Sequence, residues 1–491
     1  MVQRLAKDPK KLKMYDDVIT TQEKQEFIEK VENPDVTSGT CHYIPHHAVH
    51  KESSTTPIRI VYDCSCRKSS THPSLNDCLT SGPPILKDLI AILLRFRQHK
   101  YGLVADIEKA FLHVSLDEED RDITRFLWLS DPNDPTSKFD AYRFKSVLFG
   151  ATSSPFILNA TLDKHLSQYD EPVAEDIKGN IYVDDLVTGV QEEDEAVKYY
   201  NRARALMTPV GFNLRSWASN STSVQTLAAK ENLLDGHTET KVLGIQWETA
   251  TDKLQYPRRV NVSNTNPVTK REMLRESSKL YDPLGLLHPV TVSAKIMMQE
   301  VWQRELEWDE LLPPDIQDRW QKLVKELEAV TSMQIQRRYF PLTSEWPKDA
   351  ELHIFVDAST KAYGAVAYVK SSEADQASFV MAKSRVAPLK KLTLPQLELT
   401  AALIGARLGS YLRGKLHVTK TILWTDSQIV IHWLRSLKQL KPYVANRVTE
   451  IKTLTRVWRY CPTSDNPADL LTRGISANQL KTAEIWSHGP A

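Results

Sequence analysis

The fold is decided by the stretch Gly179-Asn180-Ile181-Tyr182-Val183-Asp184-Asp185-Leu186-Val187-Thr188-Gly189. Apolar residues flank two adjacent carboxylates, and a glycine lies at each end. This pattern predicts a β-hairpin whose turn carries Asp184 and Asp185. Two carboxylates on a rigid element repel each other unless a cation lies between them, and a hard divalent cation such as Mg²⁺ fits there. An ordinary acidic turn is the alternative, which a four-residue match alone would favour.

Two further motifs precede this hairpin. The stretch Leu103-Val104-Ala105-Asp106-Ile107-Glu108-Lys109-Ala110-Phe111 predicts an apolar strand that ends on Asp106, followed by the aromatic Phe111. The stretch Val147-Leu148-Phe149-Gly150-Ala151-Thr152-Ser153-Ser154-Pro155-Phe156 predicts a helix start, with serine as the cap and proline in the first turn. Three motifs in this order are far more specific than any one of them.

The order of these motifs resembles the palm of reverse transcriptases, and in particular the enzymes of Pao/BEL-type retrotransposons. The stretch His42-Tyr43-Ile44-Pro45-His46-His47-Ala48-Val49 is similar to that family's entry into the fingers, and Val147-Leu148-Phe149-Gly150 is similar to its central loop. The resemblance implies a polymerase centre in which Asp106, Asp184 and Asp185 hold two divalent ions, Mg²⁺ or Mn²⁺.

The resemblance also implies a nucleotide site. Lys51 and Arg59 match, in order, the fingers cations that grip the incoming triphosphate; two surface cations on an exposed hairpin are the alternative. Phe111 matches an aromatic residue that leaves no room for a 2′-hydroxyl, and a core position is its alternative. Gly150 lets the backbone approach the nucleotide closely. Phe149 stands where retroviral enzymes carry Gln.

Composition limits the class of protein. The chain has 491 residues, 41% of them hydrophobic and 25% charged, which predicts two to four globular domains. The net charge is +1, so a nucleic-acid-binding surface would be a local groove. Five cysteines favour a reducing compartment over a disulfide framework. The sequence contains no run of about 18 apolar residues, so no membrane span is predicted. The basic N-terminus is not typical of a secretory signal.

A group of histidines and cysteines raises the question of a zinc site. Its spacing matches no common zinc finger, and alternation suits a strand instead. The residues concerned are Cys41, His42, His46, His47, His50, Cys64 and Cys66.

A second acidic centre is predicted after residue 350. Strands end at Asp357 and Asp426, a helix over about 395–412 carries Glu398 in its first turn, and Asp469 opens a final helix. The predicted order β-β-β-α-β-α-α-β-α resembles the ribonuclease H fold, in which four converging carboxylates bind two divalent ions that activate a water. Cellular-type enzymes carry a His shortly before the last Asp, and residues 461–465 have none.

We therefore expect an α+β and α/β multidomain fold, namely a right-hand polymerase of fingers, palm and thumb followed by a ribonuclease H-like domain. The expected boundaries are a lead-in at 1–35 with a helix near 22–31, fingers and palm at 36–250, a helical thumb and connection at 251–345, and the ribonuclease H-like domain at 346–485. A scaffold helix is predicted from Pro83 to about Arg97, and a primer-grip turn over Val242–Trp247.

The resemblance implies RNA-directed DNA synthesis with degradation of the RNA strand of hybrids. The expected partners are an RNA template, a DNA primer, RNA–DNA hybrid and dNTPs, with no membrane. Gag, protease and integrase segments would lie outside this chain, and the expected location is the cytoplasm, in a virus-like particle, with the nucleus as the alternative.

Two other functions remain as alternatives. An inert nucleic-acid-binding remnant of an element is one. An aspartic peptidase is the other, although its triplet requires Gly where this chain has Ser359 after Asp357-Ala358.

Overall fold

The structure is a computed structural model that describes residues 2–35, 39–50, 58–237, 239–256 and 268–490. Its strands are β1 (Ile28–Lys30), β2 (His46–His50), β3 (Ile58–Tyr62), β4 (Tyr101–Ile107), β5 (Phe126–Leu129), β6 (Phe139–Phe144), β7 (Ile181–Tyr182), β8 (Asp185–Val190), β9 (Leu214–Ser219), β10 (Glu239–Val242), β11 (Ile245–Glu248), β12 (Lys253–Gln255), β13 (Gln334–Gln336), β14 (Glu351–Ala358), β15 (Ala362–Lys370), β16 (Ser378–Val386), β17 (Lys420–Thr425) and β18 (Trp458–Tyr460).

Its α-helices are α1 (Val2–Leu5), α2 (Pro9–Lys24), α3 (Leu75–Cys78), α4 (Leu89–Phe96), α5 (Glu118–Arg121), α6 (Ser154–Leu166), α7 (Pro172–Asn180), α8 (Glu193–Met207), α9 (Thr222–Lys230), α10 (Lys270–Ser278), α11 (His288–Gln303), α12 (Pro314–Val330), α13 (Leu394–Arg413), α14 (Gln428–Arg435), α15 (Pro442–Leu454), α16 (Asp469–Arg473), α17 (Ala477–Thr482) and α18 (Glu484–His488). No helix in the described ranges is both long and apolar enough to cross a membrane.

The chain divides into two compact units. The first comprises Met1–Lys87, Ala105–Leu186 and Tyr199–Arg215, and the second comprises Asp88–Val104, Val187–Lys198 and Ser216–Ala491. The acids at 106, 184 and 185 therefore lie in the first unit, and the acids at 357, 398, 426 and 469 lie in the second.

The core of the first unit is rich in aromatic side chains. Tyr15 stacks on Trp128 with 4.7 Å between ring centroids, and its hydroxyl meets Nδ1 of His46. Nε2 of His46 lies 2.9 Å from the carbonyl oxygen of Leu127. Because a carbonyl oxygen only accepts hydrogen bonds, Nε2 of His46 is the donor to Leu127. Nδ1 of His46 then accepts the hydrogen bond from the Tyr15 hydroxyl. Both ring nitrogens of His46 are thus engaged in hydrogen bonds, so His46 is structural and not a zinc ligand. Cys64 is buried in the hydrophobic cluster of the same unit.

Two predicted helices differ from those observed. The prediction of a helix near 22–31 is wrong, because α2 ends at Lys24 and the strand β1 follows it and pairs with β6. The reason is an early start, since Asp8 caps the helix and Pro9 occupies its first position. The helix expected from Pro83 begins only at Leu89, because Asp88 accepts hydrogen bonds from the amides of the first turn.

The second unit contains the predicted order of strands and helices after residue 350. Its five-stranded sheet has the order β16-β15-β14-β17-β18, with β14 antiparallel to β15 and parallel to β17. The carboxyl ends of β14 and β17 therefore meet at one edge of the sheet. Glu398 lies just beyond the first turn of its helix rather than within it, because α13 begins at Leu394.

The region expected to be helical at 251–345 is more mixed than predicted. It contains α10, α11 and α12, but β12 and β13 also complete a four-stranded sheet of order β10-β11-β12-β13. Arg337 follows β13 and is fully buried; its Nε lies 2.6 Å from Oδ1 of Asp252, and its Nη2 lies 2.9 Å from Oδ2. This two-point ion pair fixes the end of β13 beside the turn that precedes β12.

Close packing of α13 on β14 generates a stability prediction. A Cβ at Gly405 would lie 2.3 Å from Cγ1 of Val356, the residue before Asp357. Gly405→Ala should therefore cost about 1–3 kcal/mol by overpacking, and lower the melting temperature of the second unit in differential scanning calorimetry.

The matched control is Gly414→Ala at the end of the same helix. Its nearest contact would be an ordinary 3.5 Å, at a φ of −77° that any residue adopts. Equal melting temperatures for the two variants would contradict the close approach of α13 to β14.

Candidate active sites

The hairpin predicted for the first unit is present, with Asp184 in its turn, but the prediction that the turn also carries Asp185 is wrong, because Asp185 is the first residue of β8. Ile181 pairs with Leu186 and Tyr182 pairs with Asp185, which leaves Val183 and Asp184 as the loop. Val183 has a φ of 59°, a left-handed conformation that costs a β-branched residue on the order of 1–3 kcal/mol. The glycine expected to bound the hairpin at its start lies instead in α7, because strand β7 is only two residues long.

Strand β4 brings Asp106 to the same place. β4 lies next to β8 in the sheet of order β7-β8-β4-β9. Beside Asp106, the amide of Ile107 donates to the carbonyl oxygen of Asp184 at 2.9 Å. The backbone therefore fixes the strand that ends near Asp106 against the turn that carries Asp184.

All three acids have raised pKa values, and at two of them neighbouring acids contribute to the rise. Burial is the largest cause at each position. It raises the pKa of Asp185 to about 7, with repulsion from Asp184 and Asp106 as the further causes. The pKa of Asp106 rises to about 6 through burial and repulsion from Asp184, opposed by Arg215. Burial also raises the pKa of Asp184, opposed by the positive charge of Arg59. The three carboxyl groups form one electrostatic cluster.

Sequence reasoning missed the cation and acid that surround Asp106. Nε of Arg215 lies 3.6 Å from Oδ2 of Asp106, and its Nη1 lies 3.1 Å from Oε1 of Glu108. Nδ2 of Asn213 donates to Oε2 of Glu108 at 3.0 Å. Asn213 directly precedes β9 and Arg215 lies within it, and no motif identified in the sequence covers these two positions.

The residues assigned to the nucleotide lie together in part. The rings of Phe111 and Phe149 meet edge to face at 4.7 Å, and the guanidinium of Arg59 lies 5.1 Å from the centroid of Phe149. Phe111 is 6% exposed, which is also typical of a core residue. Gly150 has a φ of +98°, and a Cβ there would lie 3.0 Å from the carbonyl oxygen of Tyr62. Lys51 lies outside the described residues.

The prediction for the start of α6 is confirmed for the proline and wrong for the serine cap. Pro155 lies in the first turn of α6, but Ser153 makes no capping hydrogen bond. The hydroxyl of Ser154 donates instead to the carbonyl oxygen of Leu148 at 2.7 Å, which ties the helix to the loop before Phe149.

Two of the four acids of the second unit, Asp357 and Glu398, have pKa values raised in part by the other two. Asp357 is the penultimate residue of β14, and Asp426 directly follows β17. The pKa of Asp357 is raised to about 6, first by burial and then by repulsion from Asp426 and Asp469. Burial raises the pKa of Glu398, with a contribution from Asp426. The four predicted carboxyl groups are therefore linked electrostatically through Asp357 and Asp426.

Hydroxyl groups that sequence reasoning missed hold three of these acids. Thr472 donates to Asp357, and Ser427 donates to Glu398. Thr463 donates to Oδ2 of Asp426 at 2.8 Å, from the segment in which cellular-type enzymes carry His. The fourth acid, Asp469, is paired with Arg473, whose Nε lies 2.7 Å from its Oδ1. Ser427 adjoins Asp426 in sequence, which was the one available signal.

Both centres have the donor chemistry of a divalent cation site. Hard cations such as Mg²⁺ prefer carboxylate oxygens, and each centre gathers acids whose mutual repulsion such a cation would relieve. In the described part of the chain, no set of three or more His, Cys, Asp or Glu side chains is already arranged around a metal position. The acids are therefore neighbours by their electrostatics and the backbone that carries them.

Comparisons with known proteins identify two domains in this chain. A family model for reverse transcriptase (RNA-dependent DNA polymerase) matches residues 49–246, and one for the Pao retrotransposon-like RNaseH-like domain matches residues 269–427. No curated protein matches the sequence significantly.

Solved structures of a foamy viral protease-reverse transcriptase have a similar fold. Its dRH form in complex with double-stranded DNA is 14% identical with a TM-score of 0.62, covering 92% of this chain and 69% of that one. The complex with double-stranded DNA is 14% identical, with a TM-score of 0.58 and coverage of 92% and 82%. The complex with RNA/DNA hybrid is 13% identical, with a TM-score of 0.57 and coverage of 94% and 54%.

The predicted fold class and the predicted resemblance are both confirmed. The chain joins a reverse transcriptase domain, an RNA-dependent DNA polymerase, to a ribonuclease H-like domain of the Pao retrotransposon type.

Proposed function

We propose that Asp106, Asp184 and Asp185 are the metal-binding acids of DNA synthesis. We also propose that the four acids of the second unit are the catalytic acids for hydrolysis of the RNA strand of RNA–DNA hybrids. The observation that carries this proposal is the same in both units. Acids far apart in sequence lie close enough to interact, and in each unit some of them raise the pKa of another. Such clusters of perturbed carboxyl groups are typical of catalytic sites.

In the polymerase centre the chain supplies position and charge. Two Mg²⁺ or Mn²⁺ ions in each centre would neutralise the negative charge that develops in the reaction and would activate the attacking oxygen. The strained turn at Val183 and the hydrogen bond from Ile107 hold the acids before substrate arrives. Such preorganisation matters because in-line phosphoryl transfer depends mainly on positioning and on charge neutralisation. Arg215 balances part of the negative charge of Asp106 and Glu108.

Nucleotide selection is assigned to the aromatic pair and its cation. Arg59 is exposed and acts on Asp184 electrostatically, which supports its assignment as a contact for the triphosphate. Phe149 supports both Arg59 and Phe111, which explains how an aromatic residue serves where retroviral enzymes carry Gln. Lys51 is proposed as the second triphosphate contact on sequence grounds alone.

In the ribonuclease centre the chain holds and orients carboxylates. Hydroxyl donors from Thr472, Ser427 and Thr463 each fix one acid oxygen and leave the negative charge in place. The acids keep their affinity for cations, and the attacking water would be held between them. Thr463 lies in the segment where cellular-type enzymes place His, so the step that His assists is assigned to no side chain here.

Partners and location follow from the proposed reactions. We propose an RNA template, a DNA primer, RNA–DNA hybrid and dNTPs as ligands, and gag, protease and integrase segments as other parts of the same polyprotein. A virus-like particle in the cytoplasm is the proposed location. The foamy viral enzyme of similar fold was solved with double-stranded DNA and with RNA/DNA hybrid, which supports the nucleic-acid ligands.

The peptidase alternative loses its support in the structure. Asp357 lies within a five-stranded mixed sheet, and the hydroxyl of Ser359 donates to the carbonyl oxygen of Thr472 at 2.9 Å. Ser359 therefore serves to tie β14 to α16, and Asp357 is grouped with three other acids.

Asp185→Asn should reduce nucleotide incorporation by more than about 100-fold, because even residues that only support metal ligands contribute 10- to 100-fold. The same change should raise the melting temperature at pH 8 without divalent cations. Folding raises the pKa of Asp185 from 3.8 to about 7, so the folded state binds more protons and loses stability as pH rises through that window. Because Asn carries no charge, the substitution removes the whole loss of stability at pH 8 and a smaller loss at pH 5.

The control for that variant is Asp163→Asn, which alters an exposed carboxylate on α6 of the same unit. It should change neither incorporation nor the melting temperature. Full incorporation by a folded Asp185→Asn protein would remove Asp185 from the polymerase centre.

Phe111→Ala should relax sugar selection, because removal of the ring opens space for the 2′-hydroxyl. The measurement is the ratio of dNTP to rNTP incorporation efficiency, which should fall for this variant. Phe139→Ala, an exposed aromatic residue of the same unit, is the control. An unchanged ratio with a lower melting temperature would make Phe111 a core residue.

Asp426→Asn should eliminate cleavage of the RNA strand and leave DNA synthesis nearly unchanged. Asn can still accept the hydrogen bond from Thr463, so the change removes charge without removing this contact. A labelled-hybrid cleavage assay is run beside primer extension on one preparation, with Asp375→Asn on an exposed loop as the control. Retained cleavage would remove Asp426 from the site, and loss of both activities at an unchanged melting temperature would show that the centres are coupled.

A further inference from the structure

A cavity of about 420 Å³ in the second unit has no assigned role. Its walls come from α14, the end of α15 and the start of β18, and none of the four catalytic acids lines it. Three cationic side chains do line it, Arg435, Lys452 and Arg456, together with Trp458.

The charge around this cavity is of one sign. No acidic side chain lines it. Arg435, Lys452 and Arg456 are exposed, and none of them forms an ion pair with the residues whose positions are described. The nearby acid Glu450 is already paired with Arg407, whose Nε lies 2.6 Å from its Oε1. The three positive charges therefore face the cavity without compensation.

One wall carries a hydrogen-bond donor with no acceptor. Nε1 of Trp458 is buried and has no hydrogen-bond partner within the described structure. Buried polar groups are nearly always satisfied, so an isolated donor beside a cavity indicates a missing acceptor such as a ligand or an ordered water. An acceptor that also suits three cations is an anion.

Helix ends explain only part of this arrangement. Arg435 lies in the last turn of α14 and Lys452 in the last turn of α15, where cations favour the negative end of the helix dipole. Arg456 lies beyond the end of α15, and the unsatisfied indole donor has no connection with a helix dipole. The dipole therefore does not account for the cavity.

We propose that this cavity binds a phosphate group. Arginine presents a fork of donors to phosphate oxygens, lysine adds a point charge, and the indole N–H supplies one further donor. Trp458 pairs with Leu423, three residues before Asp426 along the parallel strand. That separation is about 10 Å along the strand, a distance that a nucleic-acid backbone covers in a few nucleotides.

The proposed source of the phosphate is the backbone of bound nucleic acid, and this choice rests on the proposed function. Free phosphate or pyrophosphate has the same chemistry and is tested separately. The full-length chain is labelled with [¹⁵N]tryptophan, and the indole resonance of Trp458 is assigned with Trp458→Phe. The probes are inorganic phosphate, pyrophosphate and an RNA–DNA hybrid, each added in EDTA to prevent cleavage.

The test variant is Arg435→Gln/Lys452→Gln/Arg456→Gln, and the matched control is Lys322→Gln/Lys325→Gln/Lys481→Gln, which removes three exposed charges elsewhere in the same unit. We expect hybrid to shift the Trp458 resonance in the wild type and the control, and not in the test variant. The slope of log affinity for hybrid against log salt should fall by about 2 to 3 in the test variant alone.

Each outcome decides the proposal. A shift with phosphate or pyrophosphate but not with hybrid supports a phosphate site and assigns it to a free anion. No shift with any probe, or an equal shift in the test variant, overturns it. Hybrid cleavage by the wild type in Mg²⁺ is measured on the same preparation. A chain that cleaves hybrid without a Trp458 response therefore fails this inference and leaves the ribonuclease assignment intact.

Discussion

Repulsion between carboxylates that are mostly half-buried is the constraint on which both centres depend. Each unit places acids where burial disfavours their charge and where neighbouring acids disfavour it further. Such an arrangement persists only if the surrounding structure overrides the repulsion. Here the backbone does so for five of the seven acids, which lie at strand ends or in a two-residue turn and cannot move apart without loss of sheet hydrogen bonds. The other two, Glu398 and Asp469, are carried by helices. A divalent cation relieves the repulsion, so the same feature that costs stability provides affinity for metal.

The two centres restrain their acids in different ways. In the first unit an arginine, Arg215, partly neutralises Asp106, and strain is stored in the turn at Val183. In the second unit hydroxyl groups donate to three of the four acids, and only Asp469 has a cationic partner. A hydroxyl orients a carboxylate without cancelling its charge. The ribonuclease centre thus keeps more negative charge for cations, and the polymerase centre keeps a counter-charge beside its acids.

The sequence predicted the acids but not the groups around them. Asp106, Asp357 and Asp426 were predictable because each ends or directly follows an apolar strand, and strand periodicity is visible in one sequence. Thr472 and Arg215 were not, since their contacts join segments whose pairing no local pattern specifies. Local competition explains the other errors. The cap at Asp8 moved a helix, and β12 and β13, short strands about 80 residues apart, left no periodic signal.

Both proposed activities require that each acid cluster holds divalent cations. The most direct test is an anomalous difference map at the manganese edge, from crystals of the full chain grown with Mn²⁺ and an RNA–DNA hybrid. We expect peaks bounded by Asp106, Asp184 and Asp185 in one unit, and by Asp357, Glu398, Asp426 and Asp469 in the other. Peaks at only one cluster, or Mn²⁺ bound elsewhere with both clusters vacant, would contradict this expectation.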